Sequence, residues 1–210
     1  MAAETAKRRR GRPPQSESGR NATRAALLRA GLEALTAKGF SATGIDEVLG
    51  SVGVPKGSFY HYFASKEAFG AALIDSYARY FSGKLDRILC NETRTPLQRL
   101  HDFVEDAEAG MARHDYSRGC LVGNLGQEMG ALPSAYRHQL MDVFDDWQRR
   151  TADCLRAGQE AGEIAATIDA DRTAQFFWIG WEGAVLRAKL EVSPEPLRVF
   201  AEGFFHGLRP

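Results

Sequence analysis

The sequence has few cysteines and no long apolar run, and both absences exclude classes of protein. Its 210 residues contain three cysteines, without a CxxC pair. This odd, widely spaced set predicts free thiols in a reducing cytosol rather than a disulfide-stabilised secreted domain. No apolar stretch reaches the roughly eighteen residues that a membrane span needs, and the basic N-terminus lacks the apolar core of a secretory signal. We therefore expect a cytoplasmic protein with no membrane partner.

The common signatures of enzymes and metalloproteins are missing as well. The sequence has no HExxH motif, no glycine-rich phosphate loop and no internal repeat. We therefore expect neither a metal nor a cofactor. No segment alternates apolar and polar residues over more than a few positions, which disfavours β-strands. The sequence predicts an all-α fold.

The net charge is zero overall, with 27 basic and 27 acidic residues, but its distribution is uneven. Residues 1–66 carry 11 Lys and Arg against 5 Asp and Glu, whereas residues 67–210 carry 16 against 22. A basic N-terminal part on an acidic body indicates a polyanionic partner.

The first twenty residues, which include KRRRGRPP, have no apolar periodicity. Residues 1–20 are therefore predicted to be a disordered basic arm. Arg10 and Arg12 flank a glycine as in an AT-hook, whose arginines lie in a narrow, A·T-rich minor groove. A merely solubilising tail is the alternative interpretation.

Beyond the arm, helical periodicity and helix-boundary signals run through the chain. The predicted helices are two short segments between residues 43 and 63, and the longer ranges 21–38, 66–89, 96–112, 119–130, 134–160, 171–191 and 196–208. The last of these carries a continuous apolar seam formed by Leu197, Phe200, Phe204 and Leu208.

The stretch VPKGSFYHYFASKEAF, residues 54–69, has the most informative pattern. Phe59, Tyr62 and Phe63 recur at helical spacing and form a core-facing stripe. Ser65 is placed to cap the following helix, and Gly53 marks a tight turn before the stretch. Two short helices joined by such a turn form a helix-turn-helix.

The opposite side of this short helix is polar. It presents Lys56, Gly57, Ser58, Tyr60 and His61. The second helix of a helix-turn-helix enters the major groove, where a lysine can meet phosphate or guanine and hydroxyl groups can donate to phosphate. A surface helical hairpin with a solvated face is the alternative, and the basic N-terminal part favours DNA binding.

Three segments carry a resemblance to a known family. GIDEVLGSVGVPKGSFYHYFASKEAF, behind an amphipathic first helix ending in KGF, resembles the tetracycline-repressor (TetR/AcrR) family of bacterial transcriptional regulators. GCLVGNLGQEMGALP and FWIGWEGAVLRAKLE are similar to the acrylate-responsive repressors of that family, whose relatives sense electrophiles.

The resemblance implies a nine-helix, TetR-like homodimer. A helix-turn-helix head (residues 21–66) would bind DNA, and a body (residues 67–210) would hold a ligand pocket and dimerise through its last two helices. The dimer interface would then be the seam of the final helix, at Leu197, Phe200, Phe204 and Leu208. The two recognition helices should lie roughly 34–36 Å apart on DNA.

The resemblance also implies DNA contacts at individual residues. They fall on Lys56, Gly57, Ser58, Tyr60 and His61, with Lys66 on a phosphate and Thr43 capping the second helix. The chain departs from the usual pattern at Glu47 and Val48, where Ile-Ala is common, and at Pro55, where Ser is common. These departures leave the operator sequence open.

The effector site is expected around two residues of the body. Cys120 begins a glycine-rich helix, whose backbone N–H groups favour a thiolate, although a small buried hydrophobe is the alternative. Lys189 lies among apolar residues and needs a partner or a nearby cavity. In the electrophile-sensing relatives, a cysteine and a lysine in these contexts form the sensing pair. Asn124 should share the face of Cys120.

The helix over residues 171–191 contributes the other candidates. Trp178, Glu182 and Lys189 share one face, and Trp181 lies on the adjacent face. We expect one of these faces to line the cavity and the other to pack at the dimer interface.

Together these features predict a repressor that binds double-stranded operator DNA as a dimer and is released by acrylate or a related compound. A thiol-based electrophile or redox sensor, using Cys120 and Lys189, is the alternative within the family. A remote alternative is a cysteine-dependent thioester or ester hydrolase, with Cys120 as nucleophile, His114 as base and Glu128 as orienting group.

Overall fold

The computed structural model describes residues 17–210, and every regular element in that range is helical. Eight α-helices and one 3₁₀ helix follow one another: α1 (Glu17–Lys38), α2 (Ile45–Ser51), the 3₁₀ helix (Lys56–His61), α3 (Lys66–Leu89), α4 (Pro96–Ala112), α5 (Leu121–Gln127), α6 (Ala135–Glu160), α7 (Ala170–Glu191) and α8 (Glu195–Gly207). The all-α prediction is confirmed. Arg10 and Arg12 lie outside the described residues, and α1 begins at residue 17 rather than 21.

The helix-turn-helix forms as its sequence pattern predicts. Gly53 has a φ of +65°, which permits the tight turn after α2. Phe59 and Phe63 are buried behind the 3₁₀ helix, where their rings lie 5.5 and 4.7 Å from the ring of Phe69. Ser65 caps α3 by accepting a hydrogen bond from the backbone N–H of Ala68 at 3.1 Å. The recognition segment is a short 3₁₀ helix packed by its aromatic residues.

The body packs α3, α4, α6 and α7 around an aromatic core. Trp147 and Trp178 are almost fully buried, with ring centroids 4.8 Å apart, and Phe81 and Phe103 pack against them. The indole N–H of Trp178 donates to the hydroxyl of Thr151 at 3.0 Å, so its polar atom is satisfied. None of the helices within residues 17–210 is both long enough and apolar enough to cross a membrane.

Three of the four seam residues of α8 face the chain's own body, so the assignment of Leu197, Phe204 and Leu208 to the dimer interface is wrong. Phe200 is partly buried and also contacts the exposed Phe176, and its assignment stays a prediction. Leu197, Phe204 and Leu208 are at most 4% exposed within the single chain, and Phe200 packs against Phe177. Periodicity identifies an apolar helix face without identifying what covers it. Here the cover is α4 and α7 of the same chain.

A different apolar face is left exposed. On α7 it consists of Phe176, Ile179, Leu186 and Leu190, which are three, seven and four residues apart and have exposures from 44 to 75%. Val199 of α8 is also exposed. We call these five residues the α7–α8 patch. This corrects the expectation that the Trp178 or the Trp181 face lies at the dimer interface, because both tryptophans are buried inside the chain.

Candidate functional site

The polar side of the 3₁₀ helix is accessible, as predicted. Lys56, Gly57, Tyr60 and His61 are exposed, and Ser58 is partly buried. The Tyr60 side chain is 63% exposed and rests edge-on against the buried ring of Phe59. The segment therefore presents donors on one side while its aromatic side anchors it.

Two lysines near this surface already have acidic partners in α2. Lys56 lies 2.7 Å from Asp46, and Lys38 lies 2.5 Å from Glu47. The hydrogen bond and the charge of Asp46 raise the pKa of Lys56. These pairs are exposed to solvent, so phosphate groups can replace the carboxylates at little cost in free energy.

Two other predicted DNA contacts are turned inwards. The hydroxyl of Thr43 donates to the carbonyl of Gly39 at 2.6 Å, and the N-cap of α2 is Gly44, so Thr43 does not cap α2. The ammonium of Lys66 donates to the carbonyl of Phe40 at 3.2 Å and lies over the Phe40 ring. Both residues stabilise the turn after α1.

The body contains a small cavity between α3, α4 and α7. Its volume is about 160 Å³. Its lining is mainly aromatic and aliphatic, with the polar or ionisable residues Tyr77, Tyr80, Lys84, Arg118, Cys120 and Glu182. Trp178 and Trp181 form part of the apolar wall, as the sequence predicted.

Cys120, Glu182 and Tyr77 lie together on the cavity wall. Burial raises the pKa of Glu182 from its ordinary 4.5 to about 7, although its hydrogen bond with Cys120 acts in the opposite direction. Burial and the charge of Glu182 raise the pKa of Cys120 well above its usual value. A side chain at Gly123 would collide with the Glu182 carboxylate, so the glycine allows this close approach.

Of the two interpretations of Cys120, the thiolate is therefore disfavoured and the buried thiol is favoured. Cys120 is the N-cap of α5, and its sulfur accepts a hydrogen bond from the backbone N–H of Gly123 at 3.5 Å, as the helix-start position suggested. Burial and the neighbouring Glu182 outweigh this donor. The protonated thiol is a weak nucleophile.

The raised pKa of Glu182 predicts a measurable pH dependence of stability. Between about pH 4.5 and 7 the folded state keeps a proton that the unfolded chain loses, so stability falls as pH rises through this range. Glu182→Gln removes this charge, and its stability relative to wild type should rise by up to about 3 kcal/mol between pH 5 and pH 8. Urea unfolding at both pH values measures the difference.

The exposed Glu160 provides the matched control for this experiment. Glu160→Gln should leave the pH dependence of wild type unchanged. Parallel stability curves for wild type and Glu182→Gln would contradict the raised pKa.

Asn124 and Lys189 are not on the cavity wall, contrary to the sequence prediction. The amide of Asn124 donates to the carbonyls of Leu35 and Thr36, both at 3.0 Å. The ammonium of Lys189 donates to the carbonyl of Ala37 at 3.0 Å. The last carbonyls of a helix lack intrahelical donors and carry partial negative charge, so α1 attracts both groups.

Glu128 joins the head to the body from the other side of the same turn. Its carboxylate accepts hydrogen bonds from the backbone N–H groups of Phe40 at 2.9 Å and Ser41 at 2.8 Å. Burial opposes ionisation, but these bonds and the charge of Lys66 outweigh it and lower the pKa of Glu128. Gly39 has a φ of +82°, and a side chain there would collide with Glu128, so only glycine fits this turn.

The three residues of the proposed hydrolase triad contact different groups and not one another. His114 contacts the guanidinium of Arg118, Glu128 binds the turn after α1, and Cys120 faces Glu182 and Tyr77. The structure thus supplies no base for the thiol in the arrangement that this alternative requires.

Sequence reasoning missed four polar or ionisable residues of the cavity wall. Tyr77, Tyr80 and Lys84 lie on α3, and Arg118 directly precedes the Gly119–Cys120 pair. The three- and four-residue spacing of the α3 residues, which puts them on one helix face, was the available signal.

Comparisons with known proteins agree with this geometry. A model of the bacterial regulatory proteins of the tetR family matches residues 27–73, and a model of the tetracyclin repressor-like C-terminal domain matches residues 96–204. Transcriptional regulator AcuR of Cereibacter sphaeroides is 54% identical over 94% of this chain and 90% of its own length. The repressor DhaR of a Mycobacterium species is 31% identical over 91% of this chain and 94% of its own length.

Solved structures show the same fold. A regulatory protein TetR from Rhodobacter sphaeroides, 54% identical, superposes with a TM-score of 0.86 over 88% of this chain and 97% of its own. The reduced form of Escherichia coli NemR is 28% identical and superposes with a TM-score of 0.83 over 90% of this chain and 98% of its own. The chain belongs to the TetR family of transcriptional regulators, with a DNA-binding helix-turn-helix head and a helical body.

Proposed function

We propose that the chain is a dimeric repressor that binds a palindromic operator and is released when acrylate or a closely related small carboxylate occupies the cavity. One observation carries the proposal. Residues 118–120 line the cavity, and the backbone N–H of Gly119 in the same segment donates to the carbonyl of Thr36 in α1 at 3.0 Å. A ligand in the cavity therefore contacts the segment that holds the DNA-binding head.

The size of the cavity favours a very small effector. Its volume of about 160 Å³ is the share of roughly five water molecules, and drug-sized ligands occupy about 300 Å³ or more. Acrylate has the required size, whereas a coenzyme A thioester could not be enclosed. The identity with AcuR, together with the resemblance to acrylate-responsive repressors, supports the same ligand class.

The chemistry of Cys120 favours a bound anion over covalent capture. Acrylate is a Michael acceptor, and addition to its alkene requires the thiolate that burial disfavours here. A thioether also does not release its ligand readily, whereas sensing a metabolite requires reversal. We therefore assign the response to non-covalent binding.

The α7–α8 patch supplies a surface for the second copy of the chain. TetR-family regulators usually act as dimers, and a palindromic operator needs two heads on successive major grooves. The exposed α7 positions are three, seven and four residues apart and therefore share one helix face, as the a and d positions of packed helices do. We place the dimer interface there.

A gel shift tests the proposal. The DNA upstream of the chain's own coding sequence should be retarded by the protein and released when sodium acrylate is added. Release requires that acrylate binds the DNA-free conformation more tightly than the DNA-bound one. A complex that persists at saturating acrylate would refute acrylate as the effector while leaving DNA binding intact.

Tyr60 should contribute to operator affinity. Tyr60→Phe removes one exposed hydroxyl donor while keeping the ring that packs on Phe59, so we expect about a two- to tenfold loss of affinity without loss of stability. Fluorescence anisotropy at fixed salt measures the effect.

Tyr80 is the matched control, because it is 61% exposed but lies on α3 at the cavity. Tyr80→Phe should bind the effector-free operator as wild type does. Equal operator affinities for the two variants would argue against a DNA contact by Tyr60.

A further inference from the structure

We propose that Arg118 binds the carboxylate of the effector, and that the anion is sensed because it takes Arg118 away from Glu33 of the DNA-binding head. This inference rests on the proposed function, since it needs an anionic ligand in the cavity. It adds the residue that recognises the anion and the contact through which binding reaches the head.

Arg118 is shared between the cavity and α1. Arg118 lines the cavity, while its Nη2 lies 3.5 Å from Oε2 of Glu33 in α1 and its Nη1 lies 3.2 Å from Nε2 of His114. The side chain is 24% exposed. The same residue therefore borders the cavity and pairs with a carboxylate of the head.

Of the cations near the cavity, Arg118 can leave its present partner with the smallest loss of free energy. Lys84 also lines the cavity, but its ammonium is paired with Asp106, whose Oδ2 is buried from solvent. This contact is shorter than that between Arg118 and Glu33, and Asp106 is less exposed than Glu33, so Arg118 is the easier of the two cations to displace. Lys189 donates to the carbonyl of Ala37 and lies off the cavity wall.

The partner of Arg118, in contrast, loses little when the pair breaks. Glu33 is 67% exposed, so water can solvate its carboxylate after Arg118 leaves. A separation of 3.5 Å also makes this a weak pair, and exposed ion pairs contribute little to stability. A planar guanidinium can bind a ligand carboxylate through two parallel hydrogen bonds, which is the stronger arrangement.

The backbone around Arg118 is constrained, so movement of its side chain affects its neighbour. Asp115 and Tyr116 have φ values of 48° and 55°, and hydrogen bonds from Tyr116 to Met111 and from Ser117 to His114 fix this turn. Residue 119 then donates to Thr36 of α1. When Arg118 moves from Glu33 to a ligand, two adjacent contacts with α1 are therefore affected: Arg118 with Glu33, and Gly119 with Thr36.

Glu182 makes the cavity compatible with an anion. Its carboxyl group lies on the cavity wall with Cys120 and Tyr77, and burial raises its pKa to about 7. The protonated form can donate a hydrogen bond to a carboxylate. The experiment is therefore carried out at pH 6.0, where the protonated form predominates.

The test uses three small ligands and four variants of the full chain. Sodium acrylate carries both a carboxylate and an alkene, sodium propionate carries only the carboxylate, and acrylamide carries only the alkene. Ligand binding is measured by calorimetry, and operator release by anisotropy on a duplex that the protein selects from a random pool. Thermal unfolding confirms that each variant is folded.

We expect acrylate and propionate, but not acrylamide, to bind wild type and release DNA. Arg118→Gln should weaken acrylate binding by at least about tenfold, and Arg118→Lys should weaken it less. Glu33→Gln frees Arg118, so it should tighten acrylate binding by about two- to fivefold and weaken operator binding by a similar factor. Glu160→Gln should change neither value.

The outcomes separate this inference from the proposed function. If acrylate releases wild type but acrylamide works equally well, or Arg118→Gln binds acrylate normally, Arg118 is not the anion receptor and the repressor function stands. If Glu33→Gln changes neither affinity, the exchange is refuted. If neither anion releases wild type, the anionic effector and this inference both fail.

Discussion

Ile179→Arg is expected to yield a folded monomer whose affinity for a palindromic operator is lower by about 10²–10⁴-fold. Ile179 is 74% exposed and lies within the α7 part of the α7–α8 patch. If the α7–α8 patch is the two-fold interface, each copy would bring one unpaired arginine into the apolar contact. Operator affinity should fall because, in a dimer, binding of one head holds the second head close to its half-site, and a monomer lacks this advantage.

Sedimentation velocity and anisotropy measure the two effects. Met141, which is 55% exposed on α6, provides a control in which arginine also replaces an exposed apolar residue. Met141→Arg should remain dimeric and bind the operator as wild type does. A dimeric Ile179→Arg chain with normal operator affinity would exclude the α7–α8 patch as the interface.

Phe204→Asp is expected to unfold the chain rather than to dissociate the dimer. Phe204 is 4% exposed, and its ring lies 4.9 Å from that of Phe177. Removing a buried phenylalanine costs about 3–5 kcal/mol, and the buried carboxylate adds a desolvation penalty. This is a large fraction of the stability of a typical domain.

Val199→Asp separates the two roles of α8, because Val199 is 59% exposed on the same helix. It should melt close to wild type while weakening the dimer. Urea unfolding and sedimentation distinguish the variants. A Phe204→Asp chain that is monomeric but as stable as wild type would show that the buried seam of α8 forms the dimer interface after all.

Local features of the fold could be predicted because they depend on neighbours in sequence. The Phe59 and Phe63 stripe, the Ser65 cap and the Gly53 turn each involve residues within a few positions of one another. Such signals were sufficient to identify the helix-turn-helix.

The roles of α8 and of Lys189 could not be predicted in the same way. An apolar seam packs against whichever surface the tertiary fold brings to it, and for Leu197 and Phe204 this was the chain's own core. Lys189 needed a partner, as expected, but its partner is Ala37, far away in sequence. Periodicity carries no information about such distant contacts.

The state of Cys120 shows the same limit at the level of chemistry. Its position at the start of α5, with a hydrogen bond from Gly123, could be predicted from adjacent residues. The groups that determine its protonation, Glu182 and Tyr77, belong to other helices. Sequence therefore placed the cysteine correctly and left its ionisation open between a thiolate and a buried thiol.

The central claim is that occupation of this cavity releases the operator, and one paired titration tests it directly. Acrylate is added to the protein–operator complex while tryptophan fluorescence reports cavity occupancy, through Trp178 and Trp181, and anisotropy reports bound DNA. Because binding and release are linked, the two signals should follow the same dependence on acrylate concentration. Release of DNA without a change in fluorescence, or a saturated fluorescence change with DNA still bound, would contradict the account.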